Sequence, residues 1–325
     1  MMARGRAQRG YVLILVLAVV AALAVIAARF AARIDAMRVQ VASLRDYAEA
    51  QQVAVEAKSR MLFVLATNVP QTDAFGIGEK RLRADGTPYR VGNAIVSLQD
   101  ERGLPSLNLP DRNLLARLLV ELGVDGKDTD GLLDVLEDYT DLDNLKRLNG
   151  AEAADYAALG LPPPRNDWLF SPEELGRMPG WRDRPELVAR MARLSSARRD
   201  TWFNPLTAPR EVLRAVAPAL PESALDAYLF QRRQSLQSQL PPGLALRVDD
   251  LLPHVGDFLR LTIRPRSFPF EFQYNLRLSP DAPVLPWQIT DARVVPHAPS
   301  DANNAPEYPE FDVGRIWPAQ AGSPP

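Results

Sequence analysis

The feature that most constrains the fold lies at the N-terminus, where a short basic leader precedes an uninterrupted apolar run from Tyr11 to Ala28. The leader, residues 1–10, contains three arginines and no acidic residue, and it ends at Gly10. A basic end followed by an apolar run predicts a segment that crosses a membrane with its N-terminus in the cytoplasm. The run of 18 residues is near the lower limit for a transmembrane helix.

The helical pattern continues beyond the membrane segment. Neither glycine nor proline occurs between Tyr11 and Pro70, so nothing in the sequence interrupts a single helix of roughly 50 residues. Apolar side chains recur every seven residues at Ile34, Val41, Ala48, Val55 and Leu62, with Met37, Leu44 and Leu65 in a companion register. We expect the second half of the helix to carry a soluble domain on this stripe.

Three interpretations of the N-terminus are open. The run is an uncleaved anchor, or it belongs to a signal peptide cut after Ala32, where several alanines are clustered. In the third, a peptidase cuts after Gly10, so that the mature chain begins at Tyr11 and keeps its anchor, as in type IV pilin-like precursors. The uninterrupted helix favours the third interpretation, because a secreted protein with a disposable signal has no use for such continuity.

The composition limits the classes of protein to which this chain can belong. Of 325 residues, 46% are hydrophobic and 24% are charged, which is typical of a globular protein. The formal net charge of −2 predicts no general attraction to polyanions. Cysteine is absent, which excludes disulfides and thiol chemistry and is compatible with the periplasm. The two histidines, His254 and His297, leave little material for a histidine-based catalytic or zinc site.

The sequence also lacks the common catalytic motifs, so we expect a protein that is not an enzyme. Its serines lie outside any Gly-x-Ser-x-Gly elbow, and Gly76-Ile77-Gly78 is not followed by a phosphate-loop pattern. Paired acids could serve a glycosidase, but no recognisable aromatic arrangement for sugar binding accompanies them.

After the long helix the pattern changes three times. A strand or hairpin is predicted around Gly92-Asn93, and short helices follow, among them one with an apolar face at Leu114, Leu115, Leu118, Leu119 and Leu122 that Gly123 can end. Beyond Pro241 the period is that of strands, predicted at 244–248, 258–263, 268–278 and 287–295. The tail is rich in proline, alanine and asparagine, which predicts disorder.

These segments predict an α+β fold, in which a pilin-like long N-terminal helix packs on an antiparallel sheet and a large all-α domain is inserted. The predicted boundaries are a leader at 1–10, a transmembrane helix at 11–28, the pilin helix and first strands at 29–99, the inserted helical domain at 100–240, the returning strands at 241–298 and the disordered tail at 299–325.

Five local motifs appear in a specific order along the chain. They are Asp100-Glu101-Arg102-Gly103-Leu104-Pro105-Ser106-Leu107-Asn108-Leu109, residues 138–143, Gly150-Ala151-Glu152, residues 171–175 and residues 204–213. In this order the chain resembles the K-type minor pseudopilin of type II secretion, the general secretion pathway protein K family. The first motif departs from the family pattern at Ser106, which stands where the family has an asparagine.

Leu15 strengthens the resemblance. Counted from Tyr11 it is the fifth mature residue, where major pilins and most pseudopilins carry a glutamate. A carboxylate in a bilayer is costly unless it is paired, and in pilin filaments its partner is thought to be the N-terminal ammonium of the subunit ahead. The K-type family also lacks this glutamate. The resemblance therefore implies a place at the filament tip, where no subunit lies ahead.

The resemblance implies a single-pass inner-membrane protein with most of the chain in the periplasm, processed by a prepilin peptidase between Gly10 and Tyr11. It implies a role at the tip of the type II secretion pseudopilus, supporting assembly and the export of folded proteins across the outer membrane. The implied partners are the I- and J-type minor pseudopilins and the major pseudopilin.

An acidic stretch in the helical block predicts a metal site. Residues 125–143 contain eight carboxylates and one base, Lys127. Crowded oxygen ligands suit Ca²⁺, which accepts six to eight oxygens, although the spacing is not that of an EF-hand loop. Asp138, Asp141 and Asp143 are the predicted ligands, because a helix ending near Tyr139 brings them onto one loop, and the resemblance implies calcium in this domain. The alternative is a solvated acidic face.

A second function is suggested by helix-start chemistry at Ser171-Pro172-Glu173-Glu174, with serine as N-cap and a glutamate at the capping-box position. This segment and residues 204–213 resemble helix-hairpin-helix units that hold DNA phosphates. The alternative is therefore a membrane-anchored DNA-binding protein of competence type. The acidic surroundings and the absence of a basic stripe argue against it, so no nucleic acid is expected.

Overall fold

The structure is a computed structural model that describes residues 8–76, 81–235, 239–244, 250–296 and 308–311. The chain divides into two compact units, Met1–Val53 and Ala54–Pro325. Of the predicted tail, 299–325, only residues 308–311 lie within the described part, and of the predicted leader only its last three residues.

A single helix, α1, covers Gln8–Thr67, as the absence of glycine and proline predicts. It contains a stretch long and apolar enough to cross a membrane. The side chains of the first unit are mostly exposed, among them Leu15, of which 56% is accessible. The N-terminal apolar helix is therefore a candidate membrane anchor.

The part of α1 in the second unit buries a different face from the predicted one. Its buried residues are Ala54, Ala57, Met61, Leu62, Val64 and Leu65. From the predicted seven-residue stripe this face includes Leu62 and Leu65, whereas Val55 is 45% exposed. The buried residues keep a seven-residue spacing, from Ala54 to Met61 and from Ala57 to Val64, so the face has the predicted period in a different register. The alanines let the backbone approach closely.

The sheet is antiparallel, with the strand order β3-β4-β5-β6-β7. Its strands are β3 Asp85–Val91, β4 Ala94–Asp100, β5 Phe258–Pro265, β6 Phe270–Leu278 and β7 Trp287–Pro296. A separate two-stranded sheet, which the sequence did not predict, consists of β1 Ala74–Phe75 and β2 Leu82–Arg83.

One face of the sheet is apolar and continuous across three strands. In β4 every second residue is buried, and Val96 pairs with Ile263 of β5, which pairs with Phe272 of β6. The next layer contains Tyr274, and the ammonium group of Lys58 from α1 lies 4.8 Å from its ring centre. The pilin helix therefore packs on this face, and the predicted α+β fold is confirmed.

The helical domain lies between the paired strands β4 and β5. It comprises a 3₁₀ helix at Glu101–Gly103, α2 Arg112–Glu121, α3 Gly126–Thr140, α4 Ala153–Ala158, a second 3₁₀ helix at Pro172–Arg177, α5 Pro185–Leu194, α6 Arg210–Val216 and α7 Glu222–Gln234. The apolar face predicted for α2 is buried, and Gly123 ends that helix at a φ of +89°. The indole of Trp181 lies in this core and donates to the Leu132 carbonyl at 2.9 Å.

Two predictions concern the C-terminal part. The strand predicted at 244–248 falls almost wholly outside the described residues, and Leu244 itself is not in a strand. Within the tail predicted as disordered, residues 308–311 are ordered against β3, where Phe311 is buried beside Tyr89. A large apolar side chain was available there, and composition alone did not reveal its partner.

Candidate cation site of the helical domain

Three carboxylates converge where the chain leaves α3 and returns to α4. Asp141 follows the last residue of α3, Asp143 lies two residues further on, and Glu152 directly precedes α4. Each offers an oxygen atom, and these oxygens lie within 4.8 Å of one another. The loop therefore closes on itself with three negative groups at its base.

Glu152 is the most unusual member of this group. Only 6% of the residue is exposed, and among the described residues its carboxylate accepts only from the backbone at the start of α4, where it forms a capping box with Asp155. Oδ1 of Asp141 and the hydroxyl of Tyr156 are buried nearby without a partner among the described residues. Buried polar atoms in proteins are nearly always satisfied, so a cation would suit these oxygens.

The pKa values of these carboxyl groups also favour a cation at this place. Burial raises the pKa of Glu152, and the charges of Asp138, Asp141 and Asp143 raise it further. Burial likewise raises the pKa of Asp141, as does the charge of Asp143. Each carboxylate is thus harder to ionise because of its surroundings. A cation among these oxygens would remove both the repulsion and the unsatisfied polar atoms.

Asp138, the third predicted ligand, is not a member of the group of three carboxylates but lies behind it. It is fully buried, and its carboxylate accepts a hydrogen bond from the backbone N–H of Arg147, at 3.2 Å to Oδ2. A Cβ atom on Gly150 would lie 1.9 Å from the same Oδ2, so only glycine fits there. Burial raises the pKa of Asp138. The residue ties the loop to α3 and adds negative charge behind the three converging carboxylates.

Other acids of the stretch serve the fold. Asp125 caps α3 by accepting from the N–H of Lys127 at 3.0 Å, and Asp134 accepts from the N–H of Asn149 at 3.0 Å. Arg112 contacts Asp134 at 2.7 Å. Sequence reasoning therefore identified Asp141 and Asp143 as members of the converging group and missed Glu152 as a candidate ligand. It had noted Glu152 within the Gly150-Ala151-Glu152 motif.

A second buried carboxylate, Asp100, stands where β4 passes into the helical domain. Its Oδ1 accepts from the N–H groups of Arg102 at 3.0 Å and Gly256 at 3.2 Å. Its Oδ2 accepts from the side chains of Asn204 at 3.1 Å and Thr207 at 3.0 Å. Asp100 thereby joins three separate parts of the chain, and burial raises its pKa despite these four donors.

The motif residues around Asp100 are explained by close packing. A Cβ atom on Gly103 would lie 2.6 Å from the Thr207 backbone, so the two motifs that contain these residues interlock. The amide of Asn108 bonds to the backbone of Leu169 in both directions. Ser106 donates to the Arg198 carbonyl at 2.7 Å, so the departure from the family pattern is accommodated by a buried hydrogen bond.

The segments that resemble helix-hairpin-helix units show packing contacts. Ser171 and Glu174 form the predicted capping box with proline at the helix start, although the helix is 3₁₀. The chain has two adjacent arginine pairs in this region, Arg198-Arg199 and Arg232-Arg233. Arg198 and Arg232 are buried and donate to backbone carbonyls. Their guanidinium groups are therefore buried and hydrogen-bonded within the protein, where they cannot contact the phosphate backbone of a nucleic acid.

Comparisons with known proteins identify the fold. Residues 93–200 match the sequence model of the family "Type II secretion system (T2SS), protein K". A structural match, with a TM-score of 0.53 and 17% identity, covers 79% of this chain and 99% of a chain in the crystal structure of the GspK-GspI-GspJ complex from the enterotoxigenic Escherichia coli type 2 secretion system. No match is found among curated proteins. The predicted resemblance is confirmed: residues 93–200 are similar to protein K of the type II secretion system, and the fold is similar to that of a chain in the GspK-GspI-GspJ complex.

Proposed function

We propose that this protein is a minor pseudopilin at the tip of the type II secretion pseudopilus, where it supports filament assembly and the export of folded proteins across the outer membrane. The observation that carries the proposal is the protein K domain, which the fold inserts between the adjacent strands β4 and β5. A bulky insertion of this kind suits the end of a filament, where no subunit must pack ahead of it.

The membrane arrangement follows from α1. The apolar segment 11–28 holds the subunit in the inner membrane, and the second unit, 54–325, lies in the periplasm. A prepilin peptidase cuts between Gly10 and Tyr11, whose side chains lie outside the described residues. Leu15 supports the tip position, because a subunit with none ahead of it needs no carboxylate to pair with a neighbouring ammonium.

The partners are the I- and J-type minor pseudopilins, followed by the major pseudopilin along the shaft. The support is the matched crystal structure, in which the K-type chain is found in a complex with GspI and GspJ. Co-expression with the I- and J-type subunits of the same secretion system, followed by size-exclusion chromatography, tests this step. A chain that elutes alone under conditions where I and J associate would contradict the proposal.

Calcium binding completes the proposal for the helical domain. Asp141, Asp143 and Glu152 are the groups that hold the ion, and Asp138 positions their loop. The support is the buried carboxylate of Glu152, which lies within 4.8 Å of the oxygens of Asp141 and Asp143. Ca²⁺ prefers several oxygens in flexible geometry, which carboxylates on a loop supply. Bound calcium would fix the loop between α3 and α4 and neutralise its charge.

The tip position is tested at Leu15. Leu15→Glu places a carboxylate in lipid with no new partner, so incorporation of the subunit into the tip complex is expected to weaken or stay unchanged. Crosslinking to the major pseudopilin measures the position, with Leu17→Glu as a matched control within the same segment. Stronger incorporation along the shaft for Leu15→Glu alone would show that the protein is a shaft subunit.

Processing is tested at Gly10. A side chain at the residue before the cut is expected to obstruct the peptidase beside the membrane, so Gly10→Val leaves the precursor uncut while insertion persists. N-terminal sequencing of the membrane-bound wild type is expected to begin at Tyr11. A start at Met1 or near Arg33 would contradict the pseudopilin interpretation of the leader.

A further inference from the structure

The outer edge of β3 is covered by a short piece of the C-terminal tail. Glu310 forms a parallel bridge with Arg90. The N–H of Arg90 donates to the carbonyl of Pro309 at 2.9 Å, and the N–H of Phe311 donates to the carbonyl of Arg90 at 2.9 Å. One residue of β3 thus bonds to the two residues that flank its partner, which is how a parallel strand adds to a sheet edge.

Side chains add specificity to this pairing. Phe311 is 7% exposed, and its ring meets the ring of Tyr89 edge-on with centroids 5.6 Å apart. The guanidinium of Arg90 contacts the carboxylate of Glu310 at 2.7 Å, but both groups are largely exposed. Burial of an aromatic ring stabilises more than an exposed ion pair. Phe311 is therefore the anchor, and the ion pair favours one register.

The edge accepts only a short segment. The N–H and the carbonyl of Arg90 both point toward the tail. Because backbone direction alternates along a strand, the backbone of the residue two positions earlier points to the same side. That residue is Pro88, which has no N–H to donate. Proline at outward positions is a common means of preventing edge strands from pairing with other chains. Pairing at this edge is thus centred on Arg90.

The position of the tail in the chain favours intramolecular capture. The preceding strand, β7, forms the opposite edge of the sheet, and residues 297–307 join it to the paired segment. A tether of this length gives an effective concentration on the order of millimolar. A contact that is weak between separate molecules is therefore well populated within one chain.

We propose that the β3 edge is a binding groove for a short extended peptide in which an acidic residue precedes an aromatic one, and that residues 308–311 are its intramolecular ligand. The pairing at Arg90 supplies the backbone bonds, and the ring of Tyr89 receives the aromatic anchor. The tail thereby acts as a cap that closes this edge to strands from neighbouring subunits. The inference does not depend on the calcium site or on the tip position.

Hydrogen exchange of the Arg90 amide in the full chain in detergent tests the cap. Phe311→Ala is expected to release the segment and speed exchange at Arg90 by about tenfold or more, because the amide loses its acceptor. The amide of Val96, in the neighbouring strand β4, serves as an internal reference and should not change. Phe230→Ala, which removes an exposed ring on α7, is the matched control. Unchanged exchange at Arg90 in Phe311→Ala would overturn the proposal.

A peptide of residues 305–314, added in trans to the Phe311→Ala protein, tests the groove. At a few millimolar, near the effective concentration of the tether, the peptide is expected to restore protection of the Arg90 amide. The same peptide with alanine in place of its phenylalanine should restore none. Failure of the unaltered peptide to protect Arg90 would show that the contact is ordinary tertiary packing and that β3 carries no peptide groove.

Discussion

Asp100 and Glu152 are both buried carboxylates at the ends of secondary-structure elements of the inserted domain, yet their surroundings differ. Each carboxylate oxygen of Asp100 accepts two hydrogen bonds, and the four donors come from three separate segments of the chain. Glu152 accepts only from the backbone at the start of α4 among the described residues, and it faces other carboxylates. A buried acid with several donors holds a fold together, whereas one that faces other carboxylates would be stabilised by a cation.

Removal of Asp100 is expected to have the largest effect. Asp100→Ala leaves the donors of Asn204, Thr207 and Gly256 buried without an acceptor, which should lower the free energy of unfolding by on the order of 3 kcal/mol or more. Denaturant unfolding measures this loss. Glu152→Ala in chelator is the comparison and should cost far less, because only the backbone N–H at the start of α4 loses an acceptor. Equal losses would remove the distinction between the two sites.

The second largest expected effect is a rise in melting temperature on addition of Ca²⁺, which depends on the carboxylates around Glu152. A ligand that binds only the folded state stabilises it by about 2.7 kcal/mol at a hundredfold excess over its dissociation constant. The wild type is therefore expected to melt several degrees higher in millimolar Ca²⁺ than in chelator. Asp141→Ala with Asp143→Ala, or Glu152→Gln alone, should abolish the difference. Asp128→Ala, a matched control on α3 whose carboxylate pairs with Arg184, should retain it.

Melting curves of the wild type that coincide in Ca²⁺ and in chelator would contradict the cation site. The acidic stretch would then be a solvated face. The similarity to protein K would stand, since it rests on the match of residues 93–200 and on the fold.

The smallest expected effect is a pH dependence in chelator. Burial and neighbouring charges raise the pKa of Glu152, so over the interval between the unfolded and folded pKa values the folded protein binds more protons. Stability contributed by residue 152 therefore falls as the pH rises from the unfolded value of about 4.3 to the raised folded value. Unfolding the wild type and Glu152→Gln at a series of pH values isolates the contribution of this carboxylate. If the difference between their free energies of unfolding does not change with pH, the prediction is contradicted.

The sequence predicted more of the fold than of the site. Gly123, the leucines of α2 and the strands near 258–263, 268–278 and 287–295 were identified correctly, because each depends on local periodicity or on a backbone requirement of one residue. The buried face of α1 was assigned in a register that matches it only in part. Ala54 and Ala57 are small, and their burial depends on what packs against them.

For the site residues too, the sequence predicted groups that are close in the chain but not those brought together by the fold. Asp141 and Asp143 were found because they are close in sequence, on one loop. Glu152 joins them only because the loop returns, and the return depends on Gly150 fitting against Asp138. The role of Asp100 was equally hidden, since its partners Asn204 and Thr207 lie more than a hundred residues away.

The sequence by itself determined the candidate anchor, the uninterrupted helix, the order of helices and strands, and the resemblance to the K-type family, since each is set by residues near one another in the chain. The tertiary structure alone decided which face of α1 is buried, which carboxylates converge, and that Phe311 closes the edge of β3. Those outcomes depend on burial and on contacts between distant segments, whose energies arise only once the segments have been brought together.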